Sequence, residues 1–181
     1  VDKGMNMKRH GKYDVSSGLR AFDMNCTLKR GQEESSTQKL LDQLLHALTL
    51  YGVETSSVRV ADHDVKPSVS ADEGDGDEWP TLRKQVLDTN ILVLASPIWM
   101  GQPSSVVKRV LERMDAFLDE IDEQGRYPTF GRVAVVAVVG NEDGAHHVTA
   151  ELYQALADVG FTIPGGSSAY WVGEAMGSVN Y

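Results

Sequence analysis

Three short stretches of the chain carry residue types suited to holding a ligand. In "NCTLKRGQEESSTQ", Asn25 to Gln38, Thr27, Lys29, Ser35, Ser36 and Thr37 stand just ahead of a leucine-rich segment. Free N–H groups and the dipole at a helix N-terminus favour an anion, and short hydroxyl side chains add hydrogen bonds without crowding it. The same serines could serve only as helix caps. Neither GxxxxGK[ST] nor GxGxxG is present, so no nucleotide fingerprint applies. In "SPIWMGQP", a flat heteroaromatic ring could lie against Ile98, Trp99 and Met100, and Gly101 would let main-chain donors approach its edge. The competing reading makes Trp99 a core or interface residue. In "GNEDGAHH", Gly140 and Gly144 flank Asn141, Glu142 and Asp143, which could wrap a polar ring edge or form a tight turn with Asp143 capping the next helix.

Each stretch follows a run that reads as a strand. Leu19 to Cys26 is a first strand in which Arg20 and Asp23 are awkward, "VETSSVRVA" a second, and Ile91 to Ala95 a third. "GRVAVVAVVGN" is the clearest strand, and "AYWV" is a fifth. Five apolar residues in a row before Ser96-Pro97 suit a strand buried on both faces. Between the strands, Leu40, Leu41, Leu44, Leu45 and Leu48 repeat at helical spacing, with Gly52 as a stop. Helices are also predicted from Trp79 to about Asp88, from Ser104 to about Asp119 and from Ala145 to Val159. Alternating strands and helices imply crossover units and a parallel sheet covered on both sides. In such sheets a ligand sits beyond the carboxyl ends of the strands, where strand order reverses. All three stretches leave such ends.

Composition narrows the partners. The chain has 181 residues, 41% hydrophobic, with a formal charge of −9 and a single cysteine, Cys26. That charge argues against nucleic acid or an anionic membrane as the main partner. One cysteine forms no intramolecular disulfide, and no apolar run approaches the roughly 20 residues of a membrane helix. A soluble cytoplasmic protein is the expectation. Residues 1–18 read as a flexible tail and 19–181 as one domain.

Over Leu19 to about Val172 the chain resembles the flavodoxin-like family of NAD(P)H-dependent FMN reductases. The resemblance rests on a Ser/Thr-rich loop after the first strand, on "PIWMG" after the third and on "GNEDG" after the fourth. It implies an α/β fold, a doubly wound five-stranded parallel sheet in the order 2-1-3-4-5. It also implies FMN, with the phosphate near Thr27, Lys29, Ser35, Ser36, Thr37 and Gln38. The ring would lie against Pro97, Ile98, Trp99, Met100 and Gly101, and Asn141, Glu142, Asp143 and Gly144 would face its pyrimidine side. NADH or NADPH would deliver hydride to the flavin, which would pass electrons to free flavin, a quinone or another small acceptor. No protein acid, base or nucleophile is required. A homodimer whose second subunit helps close the site is the further implication.

Two departures stand out. Trp99 replaces the commoner Tyr, and the family's helix after the fifth strand is not visible before Tyr181, so either the sequence is cut short there or a partner covers that face. A flavodoxin-like electron carrier is the rival function, since an acidic surface suits docking to a basic redox partner. A flavin-free α/β domain is a third. Asp62-His63-Asp64 and the acidic run Asp72 to Glu78 are expected to be solvated loop, and no metal site is expected.

Overall fold

The structure is a computed structural model that describes residues 18–175, 177 and 179–181. The expected tail over 1–18 lies, apart from Gly18, outside the described residues. Five parallel strands form the sheet: β1 (Arg20–Asn25), β2 (Glu54–Arg59), β3 (Ile91–Trp99), β5 (Val133–Gly140) and β6 (Ser168–Val172). They lie side by side in the order β2-β1-β3-β5-β6. With the two-residue β4 (Gln102–Pro103) set aside, this is the expected order 2-1-3-4-5. The reversal falls between β1 and β3, which pair from Ala21↔Ile91 to Asn25↔Ala95.

The helices α1 (Ser36–Thr49), α2 (Trp79–Leu87), α3 (Ser105–Met114) and α4 (Ala145–Asp158) connect the strands. Side chains alternate across β1, so Phe22 and Met24 enter the larger core with Leu92, Leu94, Val136, Val138 and Trp79. Asp23 and Asn25 therefore face the other side. There α1 contributes Leu40 and Leu41 to a smaller cluster with Val93, Ala95, Ala137 and Val139.

The third strand runs four residues beyond the expected Ala95. Ser96 and Pro97 still pair with Val138 and Val139 of β5, whereas the β1 ladder ends at Ala95. Pro97 thus has no β1 bond to interrupt. The strand then folds back, with Ile98 opposite Pro103 and Trp99 opposite Gln102. Met100 (φ 53°) and Gly101 (φ 72°) form the two-residue turn, and this hairpin geometry requires positive φ at both positions.

The acidic run departs from the expected solvated loop at one residue. Arg113 of α3 is fully buried and donates to Asp77 Oδ2 at 2.7 Å, to the Lys66 carbonyl at 2.9 Å and to the Ser70 carbonyl at 3.0 Å. Both side chains of this pair are wholly covered. Burial pushes the Asp77 carboxyl up, but Arg113 and the N–H groups of Glu73, Trp79 and Lys66 outweigh it and hold the group at about 2. The connection between β2 and α2 is thereby strapped to α3.

Among the described residues no helix follows β6. Instead Tyr181 lies on the α1 side, its ring 5.5 Å from that of Trp171 and its hydroxyl donating to Gln43 Oε1 at 2.7 Å.

Candidate functional site

A cavity of about 530 Å³ opens at the carboxyl ends of β1, β3 and β5. Thr27, Lys29, Ser35, Ser36 and Thr37 line it from the first loop, Pro97, Ile98, Trp99 and Met100 from the second, and Asn141 and Glu142 from the third. Eleven of the fifteen residues singled out in the sequence thus share one cavity. The other four stand behind the wall. Gln38 turns to Asn25, accepting from Nδ2 at 2.8 Å, and to Asp42, donating at 2.9 Å. Gly101, Asp143 and Gly144 form the contact between the second and third loops, where a Cβ on Gly144 would lie 2.8 Å from the Gly101 Cα.

The first loop brings hydroxyl groups and a lysine to the N-terminus of α1. Ser35 caps α1, accepting from the Gln38 N–H at 3.4 Å, so capping and cavity lining fall to one residue. No acidic side chain occupies the first turn of α1, which leaves its positive end uncompensated. Thr27 donates its N–H to Asn25 Oδ1 at 3.1 Å and accepts from the Lys29 N–H at 3.4 Å. The Lys29 ammonium bonds the Glu34 carbonyl, which holds its charge across the loop.

The second loop presents a flat, exposed surface. Trp99 is 53% exposed and Met100 is 91% exposed, so Trp99 is not a core residue. Its turn N–H groups are occupied: Met100 donates to Glu142 Oε1 and Gly101 to Glu142 Oε2, both at 3.0 Å.

Sequence reasoning missed Ala175, Gly177 and Asn180, which close the cavity from the C-terminal segment. No local pattern marks them, because only the return of the chain over the α1 side brings them there. It also missed Asn25, a fully buried amide that orients both Thr27 and Gln38. Cys26 is buried and its thiol is pushed up, first by burial and then by Asp23, so it is no nucleophile. Asp62 accepts from the Gly31 N–H while His63 lies against Glu78, so the Asp62-His63-Asp64 triplet points to separate partners. Among the described residues no group of three or more His, Cys, Asp or Glu is placed to hold a metal ion. Asp143 accepts from the adjacent Gly144 N–H at 2.7 Å rather than capping α4.

A hydroxyl-lined helix N-terminus beside an exposed aromatic lip, at the reversal point of a doubly wound sheet, is the arrangement of a flavodoxin-like α/β fold. The family model for NADPH-dependent FMN reductase matches residues 28–176, and the chain belongs to that family. It is 35% identical over 167 residues to the 8-demethyl-8-aminoriboflavin-5'-phosphate synthase of Streptomyces davaonensis, covering 87% of this chain and 65% of that protein. It is 40% identical over 168 residues to a protein of Mycobacterium bovis named divalent metal cation transporter MntH, covering 91% of this chain and 25% of that one. The chain therefore spans between a quarter and about two-thirds of the length of these relatives. Among its described residues no helix is long and apolar enough to cross a membrane.

A solved structure of RosB with bound 8-demethyl-8-formylriboflavin-5'-phosphate superposes with a TM-score of 0.82 at 34% identity, covering 90% of this chain and 68% of that one. An NADH:FMN oxidoreductase superposes at 0.64 and 19% identity, covering 85% of this chain and 75% of that one, a likeness of fold alone.

Proposed function

We propose that the chain is an FMN-dependent oxidoreductase that takes hydride from NADH or NADPH and reduces free flavin, a quinone or another small acceptor. The observation that carries this reading is the single cavity joining Thr27, Lys29 and Ser35 to the Trp99–Met100 lip. Family membership and the 8-demethyl-8-formylriboflavin-5'-phosphate bound to the similar RosB support it.

Thr27, Lys29, Ser35, Ser36 and Thr37 would hold the phosphate, with the α1 dipole and Gln38 behind them. Pro97, Ile98, Trp99 and Met100 would carry the ring, and Asn141 and Glu142 would border its polar edge, with Gly101, Asp143 and Gly144 fixing the approach of the two loops. Bound FMN would supply hydride acceptance and release, while the chain fixes distance and keeps one ring face open to a second reactant. No acid, base or nucleophile of the chain enters the reaction.

Titration with FMN, using riboflavin and FAD as controls, tests the phosphate site: FMN should bind far more tightly than riboflavin. Anaerobic mixing with NADH and NADPH then tests turnover. Slow reduction by both, with fast exchange with a reductase protein, would instead mark an electron carrier. The formal charge of −9 favours that second reading.

The domain would span 19–181 and work in the cytoplasm as a homodimer, a second copy covering the exposed Trp99 and Met100. A monomeric mass by light scattering together with full activity would overturn the dimer.

A further inference from the structure

The Met100–Gly101 turn is unusual in carrying a bulky residue at positive φ: Met100, at 53°, is the one non-glycine of that hand among the described residues. Two successive residues turned this way aim their N–H groups to one side and make a small anion-binding concavity. In this structure a carboxylate of the chain fills it. Glu142, from the loop after β5, accepts from the Met100 N–H through Oε1 and from the Gly101 N–H through Oε2, each at 3.0 Å. Paired hydrogen bonds to an ionised group belong to the stronger class.

The two loops also meet at a point away from the Glu142 side chain. The backbones of Gly101 and Gly144 already touch, so closely that a Cβ on Gly144 would lie 2.8 Å from the Gly101 Cα. Nor is Glu142 sealed away, since it lines the cavity beside Trp99 and Met100. The carboxylate is thus in reach of whatever enters the cavity.

We propose that the Met100–Gly101 N–H pair is an oxyanion site filled from within by Glu142, and that Glu142 is a displaceable competitor for any ligand whose acceptor atoms seek that pair. Only the naming of the ligand rests on the proposed function: it is the acceptor edge of a flavin ring laid against Pro97 to Gly101. Binding there requires the carboxylate to release both N–H groups while it stays at the cavity wall. Removing it leaves the pair open to a small carboxylate supplied from solution.

The test compares the full chain with Glu142→Gln and Glu142→Ala, using the backbone amide signals of Met100 and Gly101 and rapid mixing with FMN. In the flavin-free protein the Ala variant should lose the downfield position of both amides while the remaining spectrum stays put. Sodium formate should restore them in the Ala variant and leave the wild type unchanged. FMN association should be faster in the Ala variant by more than about tenfold, since two charged hydrogen bonds no longer have to be broken, with the Gln variant between.

If formate does not move the two amides of Glu142→Ala, the pair is not an oxyanion site and the proposal falls. If FMN binds Glu142→Ala more weakly than wild type, Glu142 assists the ligand and the competitor role falls. If no form binds FMN, the flavin reading fails, and the contrast in formate response between the wild type and the Ala variant still decides whether Glu142 blocks the pair.

Discussion

The two faces of the sheet are built differently. On one, α2, α3 and α4 cover a continuous apolar core that includes Phe22, Met24, Leu92, Leu94, Val136, Val138 and Phe117. The charged pair within it, Arg113–Asp77, is fully partnered. On the other, α1 and the C-terminal segment cover a smaller cluster, and Leu44, Leu48, Ile91 and Val135 remain only partly buried. The acid buried there, Asp23, accepts from the Ser57 hydroxyl at 3.0 Å, and its Oδ2 has no partner among the described residues. Burial raises Asp23 to about 7, with Ser57 opposing and Asp42 adding to the rise. One face thus holds a matched ion pair and the other an acid whose ionisation burial opposes. The cavity borders the less covered face, since Ala175, Gly177 and Asn180 reach it from that side.

Removing one partner on the sealed face should have the largest effect. Arg113→Met strands the Asp77 carboxylate and should lower stability by about 3–5 kcal/mol in urea unfolding. A loss below about 1 kcal/mol would mean that the strap between β2 and α2 is not anchored as the buried pair indicates. Adding Asp77→Leu to it should recover much of the loss, because no buried charge is then left alone.

The two acids should next respond to pH with opposite signs. Asp23 binds a proton in the folded chain where the unfolded chain has lost it. Its contribution is complete below the unfolded value of 3.8 and lost as pH rises through about 7. The total is about 4 kcal/mol on a shift of this size. Asp77 behaves in reverse: its contribution is present above the unfolded value of 3.8 and lost as pH falls through about 2. Urea midpoints between pH 4 and 8 should therefore show Asp23→Asn gaining on the wild type as pH rises. Parallel curves would remove the contrast between the two acids.

Packing sharpens the same difference at smaller scale. Leu92→Ala, at a fully buried position on the sealed face, should cost about 2–5 kcal/mol. Leu48→Ala, on the partly covered side of α1, should cost about 1 kcal/mol. The smallest effect belongs to the rim: Met100→Asn relieves the positive-φ turn and should raise the melting temperature, by under about 1 kcal/mol of stability. Equal losses at Leu48 and Leu92 would show that α1 is better covered than its side chains indicate.

Much of this was legible from pattern. The run Ile91 to Ala95 and the strand through Val133–Gly140 announce themselves because buried parallel strands are apolar on both faces, and Leu40, Leu41 and Leu44 mark α1 by period alone. Ligand loops in a doubly wound sheet follow strand ends, so the three stretches were found once the strands were. Asp77 was misplaced because an acidic run reads as solvated unless its partner is known. Arg113 stands thirty-six residues away, and nothing between them signals the pairing. Asp23 is awkward in a strand covered on both faces, and in the structure its Oδ2 stays unpartnered among the described residues.

By itself the sequence determined the order of elements, the parallel sheet and the three loops at one edge, since these follow from local hydrophobic period and short-range turn chemistry. Only the tertiary structure decided which side chains face the cavity, that Gln38 turns away to Asn25, that the C-terminal segment closes the wall and that Glu142 occupies the Met100–Gly101 donors. Those outcomes depend on groups far apart in the chain meeting at hydrogen-bond distance, and no local pattern encodes such a meeting.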